Sequence, residues 1–340
     1  MKTLFVTGGM GYIGSHTIIE LSQKTDFQIV SIDNFSNASP QTLVRLKHIL
    51  GKDIINENVD LCQENALEAV FTKYEQVVGI IHFAALKSVP DSVADPLFYY
   101  QNNVMGLINL LRMTAKYHIK NFIFSSSCAI YGTVSTLPVN EETPQNPTQS
   151  PYAQTKVVCE RIIQDFLAAS NATNCIFLRY FNPVGAHQSG LIGEDPTNKP
   201  TNLLPLLTRT AAGLQEKLLV FGSDYPTRDG SCVRDYVHVS DIANAHVLAL
   251  QYALKKPDMG LEVFNLGSGQ GVSVLEAIHA FERVVGISVR HELVARRVGD
   301  LAAIFSDSGR AAKLLGWHCE RTLDDMLLSA WEWQKTLLKQ

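Results

Sequence analysis

The sequence predicts an α/β protein: a doubly wound parallel sheet with a smaller α/β domain on its C-terminal side. Three observations carry this. Short apolar runs alternate with longer amphipathic stretches, a glycine-rich turn follows the first run, and the rhythm changes after about Tyr180. Continuous apolar strands are those buried on both faces, as parallel strands between two helical layers are.

In chain order, Leu4-Phe5-Val6 and residues 29–32, 77–83, 122–124 and 176–178 read as buried strands. Stretches 41–50 and 96–118 read as helices between them, and a further helix begins at Pro151, whose missing N–H does no harm in a first turn. From Asn182 to Pro196 glycine and proline accumulate, and shorter strand-like runs follow. A second domain is placed there, interleaved with the first: 1–180 and 181–340.

Bulk properties narrow the function. The 340 residues suit about two domains, and a 46% hydrophobic content provides a large core. The net charge of −4 gives no general attraction to nucleic acid or to an anionic membrane, so an anionic ligand needs a locally basic pocket. Six scattered cysteines form no C-x-x-C pair, and the histidines show no H-E-x-x-H spacing. Reduced thiols in a cytoplasmic protein without a metal are expected. No apolar run approaches the roughly 18 residues of a membrane span.

Thr7-Gly8-Gly9-Met10-Gly11-Tyr12-Ile13-Gly14 lies between the first strand and a helix. Glycines at 8, 11 and 14 let the backbone turn tightly and approach a pyrophosphate, which the helix N-terminus favours. The fold expected is therefore a Rossmann one. Asp33 closes the second strand, where a carboxylate accepts from ribose hydroxyls and repels a 2′-phosphate. No arginine stands beside it, and NAD is expected over NADP.

Tyr152-Ala153-Gln154-Thr155-Lys156 opens the helix at Pro151. Spacing i, i+4 places phenol and ammonium on one face, and a cation beside a phenol favours phenolate. Ser125-Ser126-Ser127 ends a strand at the ligand edge of the sheet, where a hydroxyl can bond a reacting oxygen. Which of the three serines does so is left open by the residues alone.

Together with His82-Phe83-Ala84-Ala85-Leu86-Lys87 and Tyr131-Gly132, these motifs resemble the extended short-chain dehydrogenase/reductase superfamily. Arg179-Tyr180-Phe181-Asn182-Pro183-Val184-Gly185, Gly193-Glu194-Asp195-Pro196, residues 224–230 and Val233-Arg234-Asp235-Tyr236-Val237-His238 are similar to the UDP-glucose 4-epimerase family within it. The resemblance runs nearly end to end.

It implies reversible inversion at C4 of a UDP-hexose through a 4-keto sugar, with NAD retained throughout. Ser127, Tyr152 and Lys156 would be catalytic. Gly8, Gly11, Tyr12, Ile13, Gly14, Asp33, Asn34, Asp60, Leu61, Phe83, Ala84, Ala85, Lys87, Asn102, Ser125 and Tyr180 would join Tyr152 and Lys156 around NAD. Lys87, Ser127, Tyr152, Asn182, Asn202, Leu203, Phe221, Arg234, Tyr236, Arg297, Asp300 and Ile304 would meet the UDP-sugar, Arg234 and Arg297 at its pyrophosphate. A homodimer packed through helices near 96–118 and 151–171 is also implied.

Three departures stand out. Ala85 stands where bacterial members often have Gly, and Cys128 follows the serine triplet. Ile304, in the run from Gly299 to Phe305, stands where members restricted to hexoses have tyrosine and those taking N-acetylhexosamines have a small residue. Other expectations stay open: a UDP-N-acetylglucosamine or UDP-glucuronate 4-epimerase, a 4,6-dehydratase, or a non-catalytic NAD-binding protein. A dehydratase needs an Asp-Glu pair where Cys128-Ala129 stand.

Overall fold

A computed structural model describes residues 1–170, 172–195, 200–297 and 300–339, so Asn171, Pro196 and Gly299 of the runs above lie outside the described residues. Strands β1 (Thr3–Thr7), β2 (Gln28–Ile32), β3 (Ile55–Glu57), β4 (Val77–His82), β5 (Asn121–Ser127) and β6 (Asn174–Tyr180) form most of the central sheet. Strands β7 (Asn182–Val184), β8 (Leu218–Phe221) and β9 (Val233–His238) leave it, and β10 (Leu261–Leu266) returns as its seventh strand. The order is β10-β6-β5-β4-β1-β2-β3, with every pairing parallel. It reverses between β1 and β4, which opens a crevice at the carboxyl ends there.

Helices α1 (Tyr12–Lys24), α2 (Gln41–Leu50), α3 (Glu64–Lys73), α4 (Val89–Ala94), α5 (Pro96–Tyr100), α6 (Gly106–Lys116) and α7 (Pro151–Ser170) connect these strands. Helices α8 (Leu203–Ala211) and α9 (Val239–Lys255) follow, and α9 packs against α1. The strand pleat divides the core in two. Leu4 and Val6 join Ile18 and Ile19 of α1 and Ile242 and Leu250 of α9 on one face. Phe5 points the other way, into Leu67 and Phe71 of α3, Leu107 and Leu110 of α6 and Ile163 of α7. Fully burying each such side chain contributes about 1.5–3 kcal/mol.

The remaining elements are α10 (Val274–Val285), α11 (Gly309–Leu315), α12 (Leu323–Leu337), β11 (Gly271–Ser273), β12 (His291–Val294) and β13 (Ala303–Ile304). Strand β9 pairs in parallel with β7 and β13 and antiparallel with β11. Its registers set Asn182 beside Tyr236 and Ile304 beside Arg234, four residues of the expected sugar site. Leu207, Leu218, Phe281 and Leu327 make the core beneath.

The stretch 96–118, expected as one helix, is divided. Between α5 and α6, residues Gln101–Met105 form a π turn. Asparagines are weak helix formers, and Asn103 is drawn out of register by bonds to a neighbouring loop described below. Among the described residues no helix is long and apolar enough to cross a membrane, and no cluster of His, Cys, Asp and Glu could hold a metal.

Candidate active site

The glycine turn is interlocked with the residues after β4. Gly8 has φ +67°, and a Cβ there would sit 2.6 Å from the Ala84 nitrogen; one on Gly14 would sit 2.2 Å from the Gly8 carbonyl oxygen. Only glycine fits either position. Gly11 caps α1 without a side-chain bond, so the first-turn N–H groups face the crevice as an anion cradle. These features fit a dinucleotide pyrophosphate.

Asp33 has a second role that its position in sequence did not reveal. Its carboxylate accepts from the backbone N–H of Met10 at 2.9 Å and of Phe35 at 2.8 Å. Burial raises its pKa, and those amide bonds act in the opposite direction. Asp33→Ala is therefore expected to loosen the turn and to remove the carboxylate expected to meet the ribose. Cofactor bound to the purified variant should fall, and its preference for NAD over NADP should relax. Wild-type content and preference in the variant would show that Asp33 has neither role.

The serines sort by their partners. Ser125 Oγ bonds the Tyr180 hydroxyl, and Ser126 Oγ donates to Glu160 Oε1 at 2.6 Å. Ser127 is the one that meets Tyr152, and it accepts from Ala129 N–H at 3.2 Å. Lys156, one turn along α7, donates through Nζ to the Ser125 carbonyl at 2.7 Å and lies 4.9 Å from the Phe124 ring.

Burial pushes the Tyr152 phenol up to about 12, with the Ser127 hydrogen bond pulling down, and burial pushes Lys156 down to about 8. Desolvation thus disfavours the charged form of both groups.

A cleft of about 880 Å³ runs along the crevice, within the usual range for small-molecule sites. Every expected site residue lines it except Lys156, which is buried behind Ser125. At the cofactor end, Asp60 accepts from Cys62 N–H at 2.8 Å beside buried Leu61, and Asn34 accepts from Ser36 N–H at 3.0 Å. Tyr12 donates to the Gly185 carbonyl at 2.6 Å, and Lys87 pairs with Glu194 at 2.8 Å.

At the other end, Arg234 donates to the carbonyls of Val233 and Leu301 at 2.9 and 2.8 Å. Asp300 lies 3.6 Å from Arg234 and 3.0 Å from Arg297, so one carboxylate gathers both guanidinium groups. The Arg297 guanidinium also stacks 4.6 Å over Phe221. Asn182 Oδ1 is buried with no hydrogen-bond partner among the described residues, an acceptor ready for a ligand. Ile304 is 3% exposed, packed with Ile130, Tyr131, Val139 and Phe181 while it lines the cleft.

Two supports escaped the sequence. Asn103 Nδ2 donates to the Leu86 carbonyl and Thr155 Oγ1, and its Oδ1 accepts from Leu86 N–H and Asn102 Nδ2. It pins the loop carrying Lys87 to α7. Beneath the serines, Glu160 and Arg179 form a buried ion pair. A polar residue on the apolar face of a helix was the available clue for both Asn103 and Glu160.

Sheet, cradle and Ser-Tyr-Lys group define a dinucleotide-dependent enzyme. Residues 4–267 match the NAD dependent epimerase/dehydratase family, and the chain belongs to it. A UDP-glucose 4-epimerase of Bacillus subtilis is 46% identical over 333 residues, which cover 98% of this chain and 97% of that one. The structure of UDP-glucose 4-epimerase from Bifidobacterium longum in complex with NAD+ and UDP is 43% identical, with a TM-score of 0.94 and 98% of each chain covered. The UDP-Glc/GlcNAc 4-epimerase of Campylobacter jejuni is 35% identical, with a TM-score of 0.84, covering 99% of this chain and all of that one.

Proposed function

We propose that this protein is a UDP-glucose 4-epimerase, interconverting UDP-glucose and UDP-galactose through a transient 4-keto sugar. The observation that carries this is one cleft joining the glycine cradle, the Ser127–Tyr152 pair and the Arg234–Asp300–Arg297 group. Gly8, Gly11, Gly14 and the α1 N-terminus hold the NAD pyrophosphate, Asp33 the ribose, and Asp60 and Leu61 flank the adenine. NAD held there would supply a two-electron oxidant for C4 that is regenerated within each cycle, and its positive ring would favour phenolate at Tyr152.

Tyr152 holds the proton of the sugar O4, Ser127 orients that oxygen, and Lys156 fixes the strand end on which the serines sit. Arg234 and Arg297 turn from Asp300 towards the substrate pyrophosphate, and Asn182 Oδ1 accepts from a substrate hydroxyl. Held by its UDP, the keto sugar can turn its other face to the same groups. Incubation with UDP-galactose should yield UDP-glucose. A 4-keto-6-deoxy product would instead reveal a dehydratase, and no product would sink the reading. A dehydratase has little support, because Cys128 and Ala129 stand where its acid–base pair is needed.

Ile304 bears on substrate range. Branched at Cβ, it keeps its methyl groups near the backbone and away from a sugar 2-substituent. Strong hexose activity with weaker use of UDP-N-acetylglucosamine is expected. Ile304→Tyr should abolish the N-acetyl activity and spare the hexose activity, with overpacking costing about 1–3 kcal/mol of stability. An unchanged activity ratio at equal cofactor loading would show that this residue is no gate.

The same reading includes a cytoplasmic homodimer. All six cysteines are free thiols. Val93, Leu97, Phe98 and Met105 form an exposed apolar stripe along α4, α5 and the π turn, with Leu97 79% exposed. Sedimentation should report twice the chain mass.

A further inference from the structure

Residues 192–195 line the cleft, and their attachments come from both halves of the molecule. Gly193 pairs with Ala186, and a Cβ on Gly193 would lie 2.5 Å from the Trp333 ring, so the segment runs flush against α12. Trp333 Nε1 fixes it there by donating to the Glu194 carbonyl at 2.9 Å.

The side chains reach other elements. Glu194 is only 12% exposed, and a carboxylate that far from water needs partners. It finds Lys87, on the loop after β4, at 2.8 Å, and Asn202, at the start of α8, at 2.9 Å. Both bonds fall on the same oxygen, Oε1. One oxygen thus joins a residue at the cofactor end to one at the sugar end. The neighbouring Asp195 pairs with Arg45 of α2 at 3.3 Å, and the Arg45 guanidinium lies 4.7 Å over the Trp333 ring.

We propose that residues 192–195 are a latch over the cofactor cleft. Glu194 is its positioning residue: by holding Lys87 and Asn202 together it sets how long NAD stays bound. The chemistry gives the latch a purpose, since a cofactor lost in mid-cycle strands a keto sugar. This inference rests on the cleft being an NAD site.

The test is a chase experiment. Protein loaded with labelled NAD is mixed with excess unlabelled NAD, and the release half-life is read at about 0.01 M and about 1 M salt, where the screening length falls from about 30 to about 3 Å. Each charge pair is worth a few-fold, so Glu194→Gln/Asp195→Asn should release NAD about tenfold faster at low salt. Wild-type release should quicken with salt, and that of the double variant should not. A merely structural role would leave the salt response in place. Equal release from both proteins, or an undiminished salt response in the variant, overturns the latch. A wild type that binds no NAD overturns the cofactor reading beneath it. Thermal unfolding verifies that the double variant is folded; if it is not, Glu194→Gln alone carries the same comparison.

Discussion

Tyr152→Phe should lower turnover of UDP-galactose by about 10²–10⁴-fold, the usual worth of general acid–base catalysis. The ring stays, so packing at the start of α7 is preserved and NAD content after gel filtration should equal that of the wild type. What goes is the hydroxyl that meets Ser127 and is proposed to exchange the O4 proton. A phenol accepts a proton only when ionised, and burial holds this one above its ordinary range. The wild-type rate should therefore climb towards alkaline pH, and the climb should be absent in the variant. Near-normal turnover in Tyr152→Phe would place the base elsewhere and end the mechanism. A loss accompanied by missing NAD would instead mark a structural defect, which is why cofactor content is measured on the same sample.

The parts of this protein written in local sequence were legible from it. The cradle could be read because Gly8 and Gly14 answer a backbone demand that no other residue meets. The strands at 4–6 and 122–124 could be read because both of their faces are apolar. Strand β3 was not legible: it has three residues, none buried, and is held as an edge by pairing with β2. Strand β10 was missed because its place beside β6 depends on a crossover from far along the chain, which periodicity does not encode. The choice of Ser127 was a similar case. Three identical residues differ only in what faces them, and Tyr180 and Glu160 arrive from distant elements. Resemblance selected Ser127 where residue chemistry could not. Glu194 and Lys87 each stood in a recognisable motif, but that they and Asn202 meet at one oxygen depends on three loops brought together by the fold.

The largest stability effect is expected at the buried pair below the serines. Glu160 and Arg179 have side chains 2% and 6% exposed. The carboxylate accepts from Arg179 Nε and Nη2 at 2.9 and 2.6 Å and from Ser126 and Gln145. Arg179 also donates to the Tyr131 hydroxyl, which in turn donates to Asn265 Oδ1 at 2.6 Å. Burial opposes the Arg179 charge, yet the bonds to Glu160 outweigh it and hold the guanidinium above its usual range. Glu160→Ala removes the counter-charge and leaves the cation in place, which costs about 3–5 kcal/mol. With an unfolding entropy of about 2.1 cal/mol/K per residue over this chain, the melting temperature should drop by roughly 4–7 °C. The double replacement Glu160→Leu/Arg179→Met removes both charges, and buried ion pairs exchanged for apolar groups of similar volume are often neutral or stabilising. It should therefore melt above the single variant, while Ser126, stripped of its acceptor, still loosens the end of β5 and slows turnover. A single variant as stable as the wild type would show that the pair does not hold this layer. A double variant no more stable than the single would show that the loss comes from packing, not from the stranded charge.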